Sequence, residues 1–239
     1  MLGIMENALS DALRAIRNGV PVLLYDSEGR ENEVDYVVHA SRVDVDTIYE
    51  MRMLAGGLIC YAMPLGMGRE LGLRYAYEYY SSFPELKPLT ERTLGYGDKP
   101  AFSIWVNYLD VATGIRDEDR ARTILELDRV NEMLFKGEVE RARNYFREKF
   151  VAPGHVPILL GRSLWERRGH TELSLHLAAM AGLRPSTVIV EMLSKGSALD
   201  LEAAARISRE YGYPLITMDD IVKEVERHGR DMYCGYKLC

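Results

Sequence analysis

The sequence has few cysteines, no long apolar run and no excess of positive charge, and each shortage closes off a class of protein. Its three cysteines are Cys60, Cys234 and Cys239. An odd count without a CxxC pair gives neither a disulfide framework nor a zinc site. Cys60 sits in an apolar run and reads as a buried thiol. The other two read as free, and a reducing cytosol suits all three. No stretch approaches the ~20 apolar residues that a membrane-spanning helix needs. The first residues lack a basic region followed by a long apolar one, so no signal peptide is expected and the reading is cytoplasmic. Lys and Arg number 30 against 36 Asp and Glu, a net charge of -6. That balance argues against a nucleic-acid or anionic-membrane partner. A site for an anionic substrate must therefore gather its own cations. Internal repeats, low-complexity tracts and linkers are also missing.

What is present is an interleaving of helix-like and strand-like periodicity. Ala8, Leu9, Ala12, Leu13 and Ile16 share one face of a helix predicted over residues 6–18, ended by Gly19. Short apolar runs predict strands at 21–25, 34–40, 58–62, 101–106, 156–160, 187–192 and 214–217. Helices are expected at 117–133, 138–150, 170–181, 200–211 and 218–228. Asp46 is placed to cap a further one that runs to Leu54 and stops at Gly56. Pro64 suits the first turn of another. Residues 74–100 crowd Tyr75, Tyr77, Tyr79, Tyr80 and Tyr96 among Pro and Gly. They read as an irregular insertion, either a lid or binding loop or a packed peripheral excursion. Residues 229–239 read as a loose tail. The interleaving points to one domain of the α/β or α+β type over residues 1–239.

Four segments carry groups that can do chemistry. Asp26, Glu28, Glu31, Glu33 and Asp35 face only Arg30 as counter-charge. A solvated acidic loop is the ordinary reading of such a run. Here, however, it is tethered between two apolar strands, and alternation of Glu31, Glu33 and Asp35 puts them on one side of an extended chain. Three carboxylates on one side call for a hard cation with oxygen ligands, for which Mg²⁺ is the natural choice. Arg167, Arg168, Gly169, His170 and Thr171 lead into an apolar helix. They suit a phosphate at a helix start, or ordinary capping by Thr171 beside surface arginines. Pro153-Gly-His155 can fix a histidine at a turn, or hold a structural one. Glu191 ends an apolar run, where a carboxylate is costly unless paired or ligating.

Together these segments resemble 3,4-dihydroxy-2-butanone 4-phosphate synthase, a family of riboflavin biosynthesis. The resemblance rests on Asp26-Ser-Glu-Gly-Arg-Glu-Asn-Glu-Val-Asp35, Gly57-Leu-Ile-Cys60, Thr113-Gly114 followed by Asp119-Arg-Ala121, Pro153-Gly-His155, Arg167-Arg-Gly-His-Thr-Glu172 and Glu191. It implies an α/β sandwich of the α+β type, with a mixed sheet and flanking helices. It implies conversion of D-ribulose 5-phosphate to 3,4-dihydroxy-2-butanone 4-phosphate and formate, with Mg²⁺ (or Mn²⁺) and no organic cofactor. By the same resemblance, Glu31 and His170 are the expected metal ligands. Arg167, Thr171 and Gly169 form the phosphate grip, with Arg168 beside them, and Arg30 and Asp35 are substrate contacts. Glu33, His155 and Glu191 are the acid–base and positioning groups. Asp26, Cys60 and Thr113 line the site. The family works as a homodimer, with sites at the subunit interface and the Pro-Gly-His histidine supplied by the partner.

This chain departs from the family pattern at Val34, where glycine is common, at Ala152, where arginine is common, and at Arg116, where a small hydroxyl residue is usual. The reading competes with another Mg²⁺-dependent sugar-phosphate isomerase or aldolase, and with a non-catalytic metabolite-binding relative. No second domain for GTP ring-opening is expected.

Overall fold

The computed structural model describes residues 2–238. In chain order its helices and strands begin α1 (Leu2–Arg17), β1 (Val22–Tyr25), β2 (Val34–His39), α2 (Val45–Glu50), β3 (Cys60–Pro64) and α3 (Leu65–Glu70). The short helices α4 (Ala76–Tyr80) and α5 (Lys87–Thr90) follow, then β4 (Phe102–Tyr108), α6 (Asp117–Phe135), α7 (Val139–Lys149), β5 (Phe150–Gly161) and α8 (His170–Met180). The chain continues through β6 (Thr187–Glu191), β7 (Leu193–Ser194), β8 (Ser197–Ala198), α9 (Leu201–Tyr211), β9 (Leu215–Thr217), α10 (Met218–His228) and α11 (Asp231–Cys234).

Seven strands form one mixed sheet in the order β4-β5-β3-β6-β2-β1-β9, and β7 and β8 make a separate hairpin. Only β3 with β5 and β1 with β9 run parallel. Because side chains alternate across a strand, register decides what each face carries. Asp35 pairs with Glu191 and Cys60 with Ile189, so these four share a face. Helix α8 covers it, and Ser174 Oγ lies 2.9 Å from Thr187 Oγ1 of that same face. Tyr36 and Tyr61 point the opposite way. The Tyr61 hydroxyl donates to the Leu127 carbonyl of α6 at 3.3 Å, and that of Tyr36 to Glu50 at the end of α2 at 2.9 Å. The result is helices, sheet, helices around one apolar cluster. No helix among the described residues is long and apolar enough to cross a membrane.

Several expectations shift. Asp44, not Asp46, caps α2, with its carboxylate accepting the Thr47 N–H at 2.8 Å. Strand β5 starts six residues earlier than its apolar run, and its register with β4 jumps from Val106–Val156 to Asn107–Val151, so that Pro153, Gly154 and His155 lie in a bulge of the strand. Only glycine fits at 154, where a Cβ would sit 2.0 Å from the Val106 carbonyl carbon. The tyrosine-rich stretch carries α4 and α5 and is anchored by buried Tyr75, whose hydroxyl donates to the Leu160 carbonyl at 3.1 Å. Part of the stretch read as a tail is anchored to the core. Tyr233 and Leu238 are buried, and the Tyr233 ring lies 5.1 Å from that of His176. Cys234 is disulfide-bonded rather than free, whereas Cys239 falls outside the described residues.

Candidate active site

The acidic loop joins antiparallel β1 and β2, and a carboxylate sets its shape. Asp26 is 2% exposed, and its oxygens accept the backbone N–H of Glu31 at 2.9 Å and of Glu33 at 3.0 Å. Asn32 takes a left-handed conformation with φ 55°, which asparagine tolerates better than most residues, and accepts the Tyr25 hydroxyl at 2.7 Å. The loop folds back so that Glu31, Glu33 and Asp35 all line one pocket of about 270 Å³.

The opposite wall is the start of α8. Gly169 is its N-cap, and Glu172 reaches back to accept the Gly169 N–H at 3.2 Å. Thr171 is therefore released from capping and lines the pocket with Arg167 and His170. A Cβ at Gly169 would fall 2.2 Å from Arg167 Nη1 and 2.9 Å from Arg30 Nη2, so the glycine lets two guanidinium groups approach the helix start. Donors at a helix N-terminus, a hydroxyl and buried arginine suit an anion such as phosphate.

His170 is 5% exposed and joins the two walls. Its Nδ1 lies 3.5 Å from Glu31 Oε2 and 3.7 Å from Asp35 Oδ1, and its Nε2 lies 3.2 Å from the Glu33 carbonyl. Glu191 closes the site from the end of β6, accepting the Leu58 N–H at 2.8 Å. Gly57 is required beside it, because a Cβ there would lie 2.5 Å from Glu191 Oε2.

The electrostatics separate the carboxylates. Burial opposes charge on His170, but Asp35, Glu31 and Asp26 outweigh it and lift the imidazole to about 9. Burial raises Asp35 to about 8 against the pull of His170, with Glu191 and Glu31 adding to the rise. Burial, then the charges of Glu31 and Glu191, also raise Glu33. Glu31 is lowered. Burial pushes it up, yet its hydrogen bond to His170 and the Arg30 charge more than offset that. Around neutral pH the pocket thus combines an ionised carboxylate with groups that hold protons, as proton transfer needs.

Two buried polar atoms of this cluster, Asp35 Oδ1 and Arg30 Nη2, have no hydrogen-bond partner. Such atoms are costly and mark where a ligand would bind. One ligand atom each from Asp26, Glu31 and His170 lie within 4.8 Å of one another. Two carboxylates and an imidazole, with an orphaned carboxylate oxygen beside them, fit a small divalent cation.

Of the residues expected at the site, Glu31, Glu33, Asp35, Arg167, His170, Thr171 and Glu191 share the pocket, and Asp26, Arg30 and Gly169 stand directly behind them. The remaining four do not join them. Arg168 lies outside and pairs with Glu226 at 3.0 Å on the surface. Cys60 is buried under the floor. Burial, with Glu191 and Asp35, pushes its thiol well up. Thr113 is tied to Asp119 on the loop before α6. His155 is exposed on β5, with its N–H donating to Asn107 Oδ1 at 2.8 Å. Nothing in the sequence singled out Leu94, Pro100, Ala101, Phe102, Leu159 and Ile189, which also line the pocket. Tyr96 and Asp98 came only as members of the tyrosine-rich stretch.

The sequence pattern described as 3,4-dihydroxy-2-butanone 4-phosphate synthase matches residues 10–224. A protein of that name from Archaeoglobus fulgidus is 37% identical over 226 residues, covering 91% of this chain and 93% of its own. One from Methanosarcina mazei is 36% identical, covering 90% of each chain. Among solved structures, the Candida albicans synthase is 25% identical with a TM-score of 0.70, covering 93% of this chain and 97% of its own. A synthase structure in complex with two magnesium ions is also 25% identical, with a TM-score of 0.71 over 92% of this chain and 96% of its own.

Proposed function

The chain belongs to the 3,4-dihydroxy-2-butanone 4-phosphate synthase family of riboflavin-biosynthesis enzymes, and from that premise we propose its reaction and the division of labour in its site. It converts D-ribulose 5-phosphate to 3,4-dihydroxy-2-butanone 4-phosphate and formate as a single catalytic unit. The observation that carries this reading is the pocket itself. Carboxylates from the β1–β2 loop and β6 meet His170, Thr171 and Arg167 from the start of α8 in one cavity.

The substrate's phosphate lies at the start of α8, against Arg167, Thr171 and the backbone amides that Gly169 leaves open. Arg30 and Asp35 contact the sugar hydroxyls. Glu31 and His170, with Asp26 close by, hold Mg²⁺, for which Mn²⁺ can substitute. When bound, the cation supplies Lewis acidity to substrate oxygens. To hold the cation His170 would be the neutral imidazole, since a metal takes only that form. Glu33, whose raised affinity for protons brings it towards working pH, moves protons at successive carbons. Glu191 holds its carboxylate on the opposite side of the same face. No organic cofactor is needed.

The site is completed by a second copy of the chain. His155 and Thr113 lie outside the pocket within one chain, and His155 is exposed on the β4–β5 edge. In a homodimer with sites at the interface they reach the partner's pocket.

Incubation with D-ribulose 5-phosphate and Mg²⁺ releases formate, and EDTA abolishes the release. No formate above the EDTA control would overturn the reaction assignment and leave a different Mg²⁺-dependent isomerase or aldolase.

A further inference from the structure

The arginine assigned to the phosphate is not free to choose its direction. Arg167 Nε donates to Asp98 Oδ2 at 2.9 Å, and its Nη1 donates to Glu172 Oε2 at 2.5 Å. Glu172 is fully buried and also accepts the Gly169 and Arg162 N–H groups. Arg162 Nη2 lies 3.2 Å from both oxygens of Asp98. Arg162, Asp98, Arg167 and Glu172 thus alternate in charge along one chain of contacts. With Nε and Nη1 committed, Nη2 is the guanidinium nitrogen left for a ligand. Asp98 belongs to the tyrosine-rich stretch. Two residues earlier, the Tyr96 ring supports the other arginine of the site, with the Arg30 guanidinium 5.2 Å from its centroid. The same turn therefore touches both guanidinium groups that converge on Gly169.

We propose that Asp98 is a positioning residue for phosphate recognition, aiming Arg167 at the start of α8 and keeping Arg162 from competing with it. This rests on the phosphate-site reading given above. Asp98 does not line the pocket itself, so it acts through Arg167. Part of its oxygen capacity is already held by the Lys99 N–H at 2.7 Å, which fixes the carboxylate against the turn.

The sign of the effect separates aiming from simple charge. Asp98 is a negative group near an anion site. If charge were its only contribution, removing it would tighten phosphate binding roughly threefold. If it aims Arg167, removing it releases one of the two contacts that fix the guanidinium and weakens binding by about tenfold, the value of one charge-assisted hydrogen bond.

The test measures kcat and KM for D-ribulose 5-phosphate in the full-length protein, and binding of inorganic phosphate by calorimetry, for wild type, Asp98→Ala and Asp98→Glu. The expected result is a KM raised about tenfold in Asp98→Ala, with kcat within threefold and phosphate affinity weakened by the same factor. Asp98→Glu recovers part of both. A KM and a phosphate affinity that stay unchanged or improve in Asp98→Ala would overturn the proposal. So would a loss confined to kcat. If the wild type releases no formate, the assigned reaction fails, yet the phosphate titration of the variants still decides whether Asp98 aims Arg167.

Discussion

Two runs of acidic residues in this chain have similar charge density and opposite fates. At the start of α6, Asp117, Glu118 and Asp119 are matched almost oxygen for oxygen. Asp117 meets Arg52 and Arg120, each at 3.0 Å, and Glu118 meets Arg116 at 2.7 Å. Asp119 binds Arg116 through two nitrogens and accepts the N–H groups of Ala112, Thr113 and Gly114. These contacts, the Arg116 pair first, hold Asp119 well below the usual carboxylate range. In the loop between β1 and β2, Arg30 is the guanidinium in contact with Asp26 and Glu31. Glu33 and Asp35 are raised rather than lowered, and Asp35 Oδ1 has no hydrogen-bond partner. The first run spends its charge on its own fold, in arginine pairs and in holding the loop before α6. The second keeps charge unspent, which is how a folded protein can hold a cation or move a proton. Density of carboxylates does not distinguish a site from a structural cluster; what their oxygens already touch does.

The largest expected effect falls on the second run alone. Glu33→Gln lowers turnover by about a thousandfold, within the range for removing an acid–base group, with a melting temperature equal to or above wild type. His155→Ala does the same. In the proposed homodimer, where each site takes Glu33 from one chain and His155 from the other, mixing the two inactive variants restores roughly a quarter of wild-type formate release. A mixture that stays inactive would place His155 and Glu33 in the same protomer's site.

The first run responds in the opposite way. Asp119→Ala leaves three backbone N–H groups and Arg116 without their acceptor. It should cost about 2 kcal/mol of unfolding free energy in a urea titration, while Mg²⁺ binding is unaffected.

The smallest effect is a difference in pH dependence. Asp119 and Asp117 have lowered proton affinities, so their stabilisation is present above the unfolded carboxylate range and fades as pH falls below about 4. His170 is raised from 6.5 to about 9, so in metal-free protein its stabilisation is complete below about 6.5 and is lost as pH rises through 9. Asp35, raised to about 8, also favours the folded state less as pH rises from about 4 to 8. Melting temperatures of EDTA-treated protein should therefore fall from pH 6.5 to 9. Asp35→Asn should flatten that slope, and Asp119→Ala should leave it as steep as in wild type.

Much of this was legible in the sequence. Period and punctuation located the strands of the large sheet and its long helices, because apolar alternation and glycine stops act locally. Glu191 stood out because a carboxylate at the end of an apolar run is costly, the run from Arg30 to Asp35 because its carboxylates alternate, and His170 and Thr171 took their roles from the family resemblance. What escaped depended on partners far along the chain. Arg167 and Arg168 are neighbours of identical type, yet one is buried against Glu172 and the other pairs with Glu226 at the surface. Cys60 shares a face with Glu191 and Asp35, but only the sheet register shows that it lies beneath the pocket floor. Pro153 and Gly154 suggested a turn, but that they bulge out of β5 against Val106 of β4 is decided by the partner strand. Asp98 is one acid in a tyrosine-rich stretch until Arg162 and Arg167 arrive from some 65 residues away.

Calorimetric titration of Mg²⁺ into chelator-treated wild type, Glu31→Gln and Asp119→Ala tests the contrast between the two runs most directly. Wild type and Asp119→Ala should bind Mg²⁺ with equal affinity and release a proton at pH 7, whereas Glu31→Gln should lose at least tenfold in affinity. Undiminished binding in Glu31→Gln, or a loss confined to Asp119→Ala, would contradict the assignment of the β1–β2 loop as the cation site.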